Sequence, residues 1–167
     1  MDLKENNKNN KRMTRINSAI AVRNLTDEHL LAEHRQIKRL PYYLDKACQS
    51  GSINRIPKEF TLGKGHVLFF LNKQDFISKR YKLLHDECVA RGFNVADYSN
   101  NWFGLDFYWK YLSHSLTSYW WDYQPTDKER NLLMKRITER IMGSSKKCFH
   151  YYGEPISKDK AIELLKQ

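Results

Sequence analysis

The sequence predicts an all-α fold: a compact single domain of about three long helices, with an aromatic-rich insert between the second and the third. Three observations predict it. Apolar residues recur at helical spacing along three segments. Each of those segments carries a capping signal at one end or both. No convincing run of alternating polar and apolar residues, and no internal repeat, competes with that reading. With 167 residues the chain has the size of one domain and can bury about two-thirds of its unfolded surface.

The first helix starts after Thr26, a good N-cap; Asp27 and Glu28 suit the positive end of its dipole, and Pro41 is expected to stop it. At 100° per residue Leu30, His34 and Ile37 share the side that should face the core. Glu33, Arg35, Gln36 and Arg39 are expected on the polar, basic side. A loop with Gly51 and Pro57 follows, then Thr61-Leu62-Gly63-Lys64-Gly65-His66. The second helical segment runs from about Val67 to Arg91. Ile77, Tyr81, Leu84 and Cys88 form its stripe, and Gly92 is a natural residue just past its end. Val67 to Leu71 fits a helix or a short strand by pattern; the number of flanking helices favours helix. The third helix is the best marked. Thr126 with Glu129 makes a capping box, Met134, Ile137 and Ile141 make an apolar stripe, and Gly143 ends it. Arg136 and Arg140 sit one turn apart and should project as a basic pair.

Residues 1–12, rich in Lys and Asn, read as a disordered leader to a domain spanning 13–153, and residues 154–167 as a C-terminal extension. Tyr98 to Tyr123 holds all four tryptophans and half of the aromatic residues, which places an insert at about 99–121. Such a cluster can stack on unpaired bases, but it is more often a satellite core or a partner surface.

The net charge is +10, with a pI near 9.5 and a mean hydropathy of −0.74. That surplus favours a polyanionic partner through counterion release, although charge alone does not separate DNA from RNA or an anionic membrane surface. The longest apolar run, Val67 to Leu71, is far too short to cross a bilayer, and no signal peptide is visible. Cys48, Cys88 and Cys148 show no CxxC pairing. They read as reduced thiols in a cytoplasmic protein rather than as a metal site.

Two segments carry the chemistry. Met13-Thr14-Arg15-Ile16-Asn17 looks like a chain start placed inside the chain, and the helix reading His29-Leu30-Leu31-Ala32-Glu33-His34-Arg35-Gln36-Ile37-Lys38-Arg39 follows it. Further blocks appear in order: Phe60 to Val67 with Phe69-Phe70, Arg91-Gly92-Phe93-Asn94, Asp122-Tyr123-Gln124-Pro125 and Tyr151-Tyr152-Gly153. This ordered set resembles the phage-type pyrimidine-dimer DNA glycosylase/AP lyases, the endonuclease V family that excises UV dimers. The likeness covers most of residues 13–153.

The resemblance implies a compact helical domain acting on damaged, kinked double-stranded DNA as a monomer in the cytoplasm (of the host cell, if phage-encoded), with no metal or organic cofactor. It implies that the α-amine of Thr14 attacks C1′ of the damaged nucleotide and that the base leaves as an imine forms. An α-amine with a pKa of about 7.7–8.0 has an appreciable neutral fraction for that task. It assigns Arg15, Arg35 and Arg39 to phosphates or the active site, and His29 to a place beside the amine. Arg136 and Arg140 match a basic pair on the last helix, and Tyr151, Tyr152 and Gly153 match an aromatic tail near the lesion. The ordinary alternatives are an exposed His29, a solvated Arg136–Arg140 face and simple tail packing of the two tyrosines.

Two departures bear on catalysis. Gln36 stands where the family has its catalytic glutamate, and an amide can neither carry the charge nor take up the proton. Glu33, one turn away, is the conceivable substitute. Twelve residues precede Met13, and while they remain Thr14 has only an amide nitrogen; translation from Met13 or cleavage would free it. The expectations are therefore a DNA-repair glycosylase/AP lyase or a catalytically silent relative that still grips distorted DNA. A weaker third is a helical interaction protein that uses the aromatic insert.

Overall fold

The computed structural model describes residues 16–63, 65–103 and 119–167. Thr14, Arg15, residues 1–12 and most of the aromatic insert, including Trp109, lie outside them. The elements in chain order are α1 (Asp27–Ile37), α2 (Leu40–Ser50), α3 (His66–Phe70), α4 (Gln74–Ala90), α5 (Asn100–Phe103), α6 (Asp127–Met142), β1 (Phe149–Tyr151), β2 (Glu154–Ile156) and α7 (Lys158–Leu164). The architecture of the described residues is all-α, as the sequence predicts, with one small hairpin that it does not predict.

The helices that the sequence predicts correspond to α1, α4 and α6, with α2 as long as α1, and their ends follow the capping residues. Thr26 caps α1 by accepting the His29 N–H. Thr126 and Glu129 form the reciprocal capping box of α6. Gly92 adopts φ +79° after α4, and the Gly92 and Phe93 N–H groups donate to the Val89 and Cys88 carbonyls, both at 2.9 Å. That bond pair closes a Schellman motif and needs a residue tolerant of the left-handed conformation.

Two boundaries differ from expectation. Pro41 does not sit in a loop; it lies in the first turn of α2, a helix the sequence reading missed. Proline is tolerated there because the first-turn N–H groups have no intrahelical acceptor. The segment expected from Val67 to Arg91 is two helices, α3 and α4, and residues 66–70 are helical as preferred.

α1 packs along α4, and their stripes share one core. Leu30 and Ile37 meet Ile77, Tyr81, Leu84 and Cys88, with Ile137 and Ile141 of α6 completing it. Ala161 and Leu165 of the C-terminal segment join the same cluster. Trp102 is fully buried, lies against Tyr81 with centroids 4.8 Å apart and donates its indole N–H to Gln74 Oε1 at 3.0 Å. This part of the aromatic-rich stretch is core. Tyr123 stands edge-on to Phe69 and Phe76 at 5.5 and 5.1 Å, so blocks far apart in sequence meet in one aromatic cluster.

The hairpin pairs Phe149 with Ile156 and Tyr151 with Glu154. Its two turn residues, Tyr152 and Gly153, have φ +52° and +79°, the signs that a two-residue type I′ turn demands. No helix among the described residues is long and apolar enough to cross a membrane. None of the three cysteines is in a disulfide, and burial pushes the Cys88 thiol up to about 11.

Candidate nucleic-acid site

The end of the Met13–Asn17 block is fixed in the core. Ile16 is 0% and Asn17 4% exposed; three helices bond their polar atoms directly, and a fourth acts through Glu33. The Ile16 N–H donates to His66 Nε2 of α3 at 3.1 Å. His66 Nδ1 lies 3.0 Å from the Thr61 carbonyl, an acceptor only, so the proton sits on Nδ1. Burial, then the nearby Arg136 charge, depresses the His66 pKa to about 4, so the ring is neutral and able to accept.

Asn17 donates its N–H to Glu33 Oε1 at 3.1 Å and its side-chain amide to Glu33 Oε2 at 2.8 Å. Arg136 of α6 donates to Asn17 Oδ1 at 3.1 Å. On its other side Glu33 receives Arg80 of α4 through Nε at 2.6 Å and Nη2 at 3.2 Å, and Arg80 Nη1 donates to the Ile20 carbonyl at 3.1 Å. Glu33 therefore does not lie on the wet face expected of it; it is 1% exposed. A carboxylate can be buried this deeply because it is both paired and hydrogen-bonded. Each of its oxygens already accepts two donors, which leaves it no readily available acceptor site for a further group.

The other carboxylates of α1 are engaged as well. Asp27 accepts Arg91 Nη1 at 2.9 Å and the main-chain N–H groups of Tyr152 and Gly153 at 3.2 and 2.8 Å. For Glu28, burial works against the charge. Hydrogen bonds from the His150 side chain and main chain and from Lys146 outweigh it and hold the group at about 2.

His29, Glu33 and Gln36 fall at i, i+4 and i+7, one ridge of α1. Gln36 is half-buried on that ridge, while Arg35 and Arg39 are exposed. Arg35 Nε donates back to the Leu31 carbonyl at 3.2 Å. His29 bonds the Thr26 hydroxyl at 2.7 Å through Nδ1 and stacks on Phe149, centroids 5.7 Å apart. Arg136 and Arg140 are half-buried on α6, with Arg136 turned to the anchored segment. Thr14 and Arg15 lie outside the described residues.

Tyr151, Tyr152 and Gly153 gather elsewhere, at the first turn of α1. The Arg91 guanidinium lies 4.9 and 4.6 Å from the Tyr151 and Tyr152 rings. The two phenols donate to the Arg23 carbonyl at 3.0 Å and to Glu87 at 2.9 Å. A groove of about 600 Å³ lies between residues 18–23, α4 and the start of α6, with Arg23, Arg80 and Arg130 on its walls. Among the described residues, no group of three His, Cys, Asp or Glu side chains could hold a metal ion.

Asn17 and His66 both belong to blocks singled out in the sequence, but neither was assigned a role there. Arg80 left a signal that was passed over: it is a charged residue at i+3 from Ile77 and i−4 from Leu84, beside an apolar stripe, where a bare charge would be costly.

The profile of the family described as pyrimidine dimer DNA glycosylase matches residues 13–100, more than half of the chain. The chain belongs to that family. The matched span starts at Met13 and contains Asn17, Glu33, His66 and Arg80, so most of the anchor around the Met13–Asn17 block lies within the family segment; Arg136 lies beyond it. Membership in the pyrimidine dimer DNA glycosylase family carries a DNA-repair function and DNA as the macromolecule bound.

Proposed function

We propose that this chain binds damaged, kinked duplex DNA and attacks C1′ of the lesion nucleotide with the α-amine of Thr14, freed when the chain begins at that residue. The nitrogen lone pair forms the new bond to C1′, and the glycosidic pair leaves with the base. The nitrogen then gives up a proton, and its lone pair forms the C1′=N bond as the C1′–O4′ bond breaks; O4′ takes the bonding pair and a proton, which opens the sugar and leaves the imine. Arg15, Arg35 and Arg39 contact phosphates or the reacting nucleotide, and Arg136 and Arg140 extend the basic surface. His29 lies on the same ridge as Gln36, and Tyr151, Tyr152 and Gly153 flank the bound duplex. The chemistry calls for neither a metal nor an organic cofactor, and one copy of the chain is enough to carry it.

One observation carries this reading: the burial of Ile16 and Asn17 and their anchoring by three helices beside the ridge that bears Gln36. Three residues of chain reach at most about 11 Å, so a nucleophile at Thr14 is tethered close to that ridge. The family match beginning at Met13 supports the same assignment.

A specific observation also favours a second reading, a protein that grips distorted DNA without completing the chemistry. Gln36 brings no charge, and Asp27, Glu28 and Glu33 are all committed to other partners. Loss of general acid–base help typically costs 10²–10⁴-fold in rate.

The test uses chain beginning at Thr14, with duplexes holding either one UV dimer or one abasic site, and borohydride to trap the imine. A covalent adduct is expected, and Gln36→Glu should raise strand cleavage by about 10²-fold or more. Tight binding with no adduct from either protein would leave only the second reading standing.

A further inference from the structure

We infer that Arg80 is a positioning residue for the amine of Thr14, acting through the turn formed by Asn17 to Ile20; the inference rests on the amine chemistry proposed above. Arg80 holds both ends of that turn. At the far end its Nη1 donates to the Ile20 carbonyl at 3.1 Å. At the near end Nε and Nη2 grip the two oxygens of Glu33 at 2.6 and 3.2 Å, and the same two oxygens hold the Asn17 N–H and side-chain amide. The Ile20 N–H closes the turn onto the Asn17 carbonyl at 2.9 Å. One planar guanidinium thus sets the position of a four-residue segment that begins three residues after Thr14.

The arrangement exceeds what fold stability requires. Arg80 is 5% and Glu33 1% exposed, and a buried ion pair of this kind can usually be replaced by apolar side chains at little net cost in stability. What apolar residues cannot do is clamp two main-chain groups, one N–H and one carbonyl, in a fixed register. Lysine cannot do it either, because its single ammonium lacks the planar fork that reaches two carboxylate oxygens and a carbonyl together. Loosening the clamp should spread the Thr14 amine over more positions and lower its effective concentration at C1′. A misplacement of about 1 Å can cost on the order of 10²-fold in rate. The DNA grip should be spared, since Arg35 on α1 and Arg39, two residues past its end, are exposed and Arg35, two residues on from Glu33, points to the opposite side.

The experiment compares parent chain beginning at Thr14 with Arg80→Lys, Glu33→Gln and Asn17→Ala. Each is mixed at saturating concentration with a duplex carrying one abasic site. The readouts are the single-turnover rate of borohydride trapping and, without borohydride, the Kd by fluorescence anisotropy. Arg80→Lys should trap roughly 10²-fold more slowly with a Kd within about twofold of parent. Asn17→Ala, which leaves the ion pair in place, should slow trapping to a smaller extent; it also carries the test if circular dichroism finds the charge variants unfolded. Variants that trap as fast as parent, or whose loss appears only in Kd, overturn the positioning role while the amine chemistry stands. A parent that traps nothing overturns the amine chemistry itself, and the role of Arg80 with it.

Discussion

The Asp27 carboxylate holds the Gly153 amide at 2.8 Å, joining the first turn of α1 to the tip of a hairpin 126 residues further on. Asp27 also carries the Tyr152 N–H and the Arg91 guanidinium, whose side chain is fully buried. Asp27→Ala would leave two turn amides without their acceptor and remove one of the two carboxylates on Arg91, which keeps Glu87 at 2.8 Å. A buried donor left without its acceptor costs about 1–3 kcal/mol. Urea denaturation should register a loss of that order, and a loss below about 1 kcal/mol would mean that the hairpin is held by its own strands.

Acid should weaken the fold before Glu28 titrates. Burial, with the Arg136 charge, holds His66 at about 4; burial, with His85 and Lys38, holds His34 at about 4. An unfolded chain titrates both near 6.5. The folded state therefore binds fewer protons over this range, and stability rises with pH. The contribution is complete above about 6.5 and is lost as pH falls through about 4, whereas Glu28 is held at about 2 and titrates later. The urea midpoint should decline from pH 7 to pH 4; a flat profile would contradict the buried neutral imidazoles.

Arg35 and Arg39 are exposed, so replacing them with alanine should change stability by no more than about 0.5 kcal/mol. DNA affinity should fall similarly for all sequences, and the slope of log K against log salt should shrink by about 0.9 for each phosphate that is no longer neutralised. An unchanged slope would remove both arginines from the interface.

Trp102 tests whether the start of the aromatic-rich stretch is core. Trp102→Ala would delete a fully buried indole and leave Gln74 Oε1 without its donor. The expected loss is about 3–5 kcal/mol. An unaffected melting temperature would argue that this region is peripheral.

The long helices were legible because their signals are local: Thr126 with Glu129, Thr26 ahead of two acids, and Gly92 after the stripe of α4. α2 was missed because proline marks the start of a helix as readily as the end of one. The hairpin was missed because tyrosine seldom takes a positive φ, and nothing near Tyr152 announces that Asp27 will collect its amide. At the site, the helical period put Glu33 on the wet face because a glutamate is normally solvated. Its burial depends on Arg80, 47 residues away, and no local pattern carries that pairing. The chemistry-bearing blocks were nonetheless visible as blocks, and Ile16 and His66 meet where their order in the chain gives no hint of proximity.

The anchor at Asn17 is completed by Arg136 of α6, and the core beneath it by Ile137, Ile141 and Leu165. During synthesis the segment that opens the domain must therefore wait for its last helices to leave the ribosome. Until then the nascent chain displays the apolar stripes of α1 and α4 without their cover, so the growing polypeptide is a natural client for chaperones.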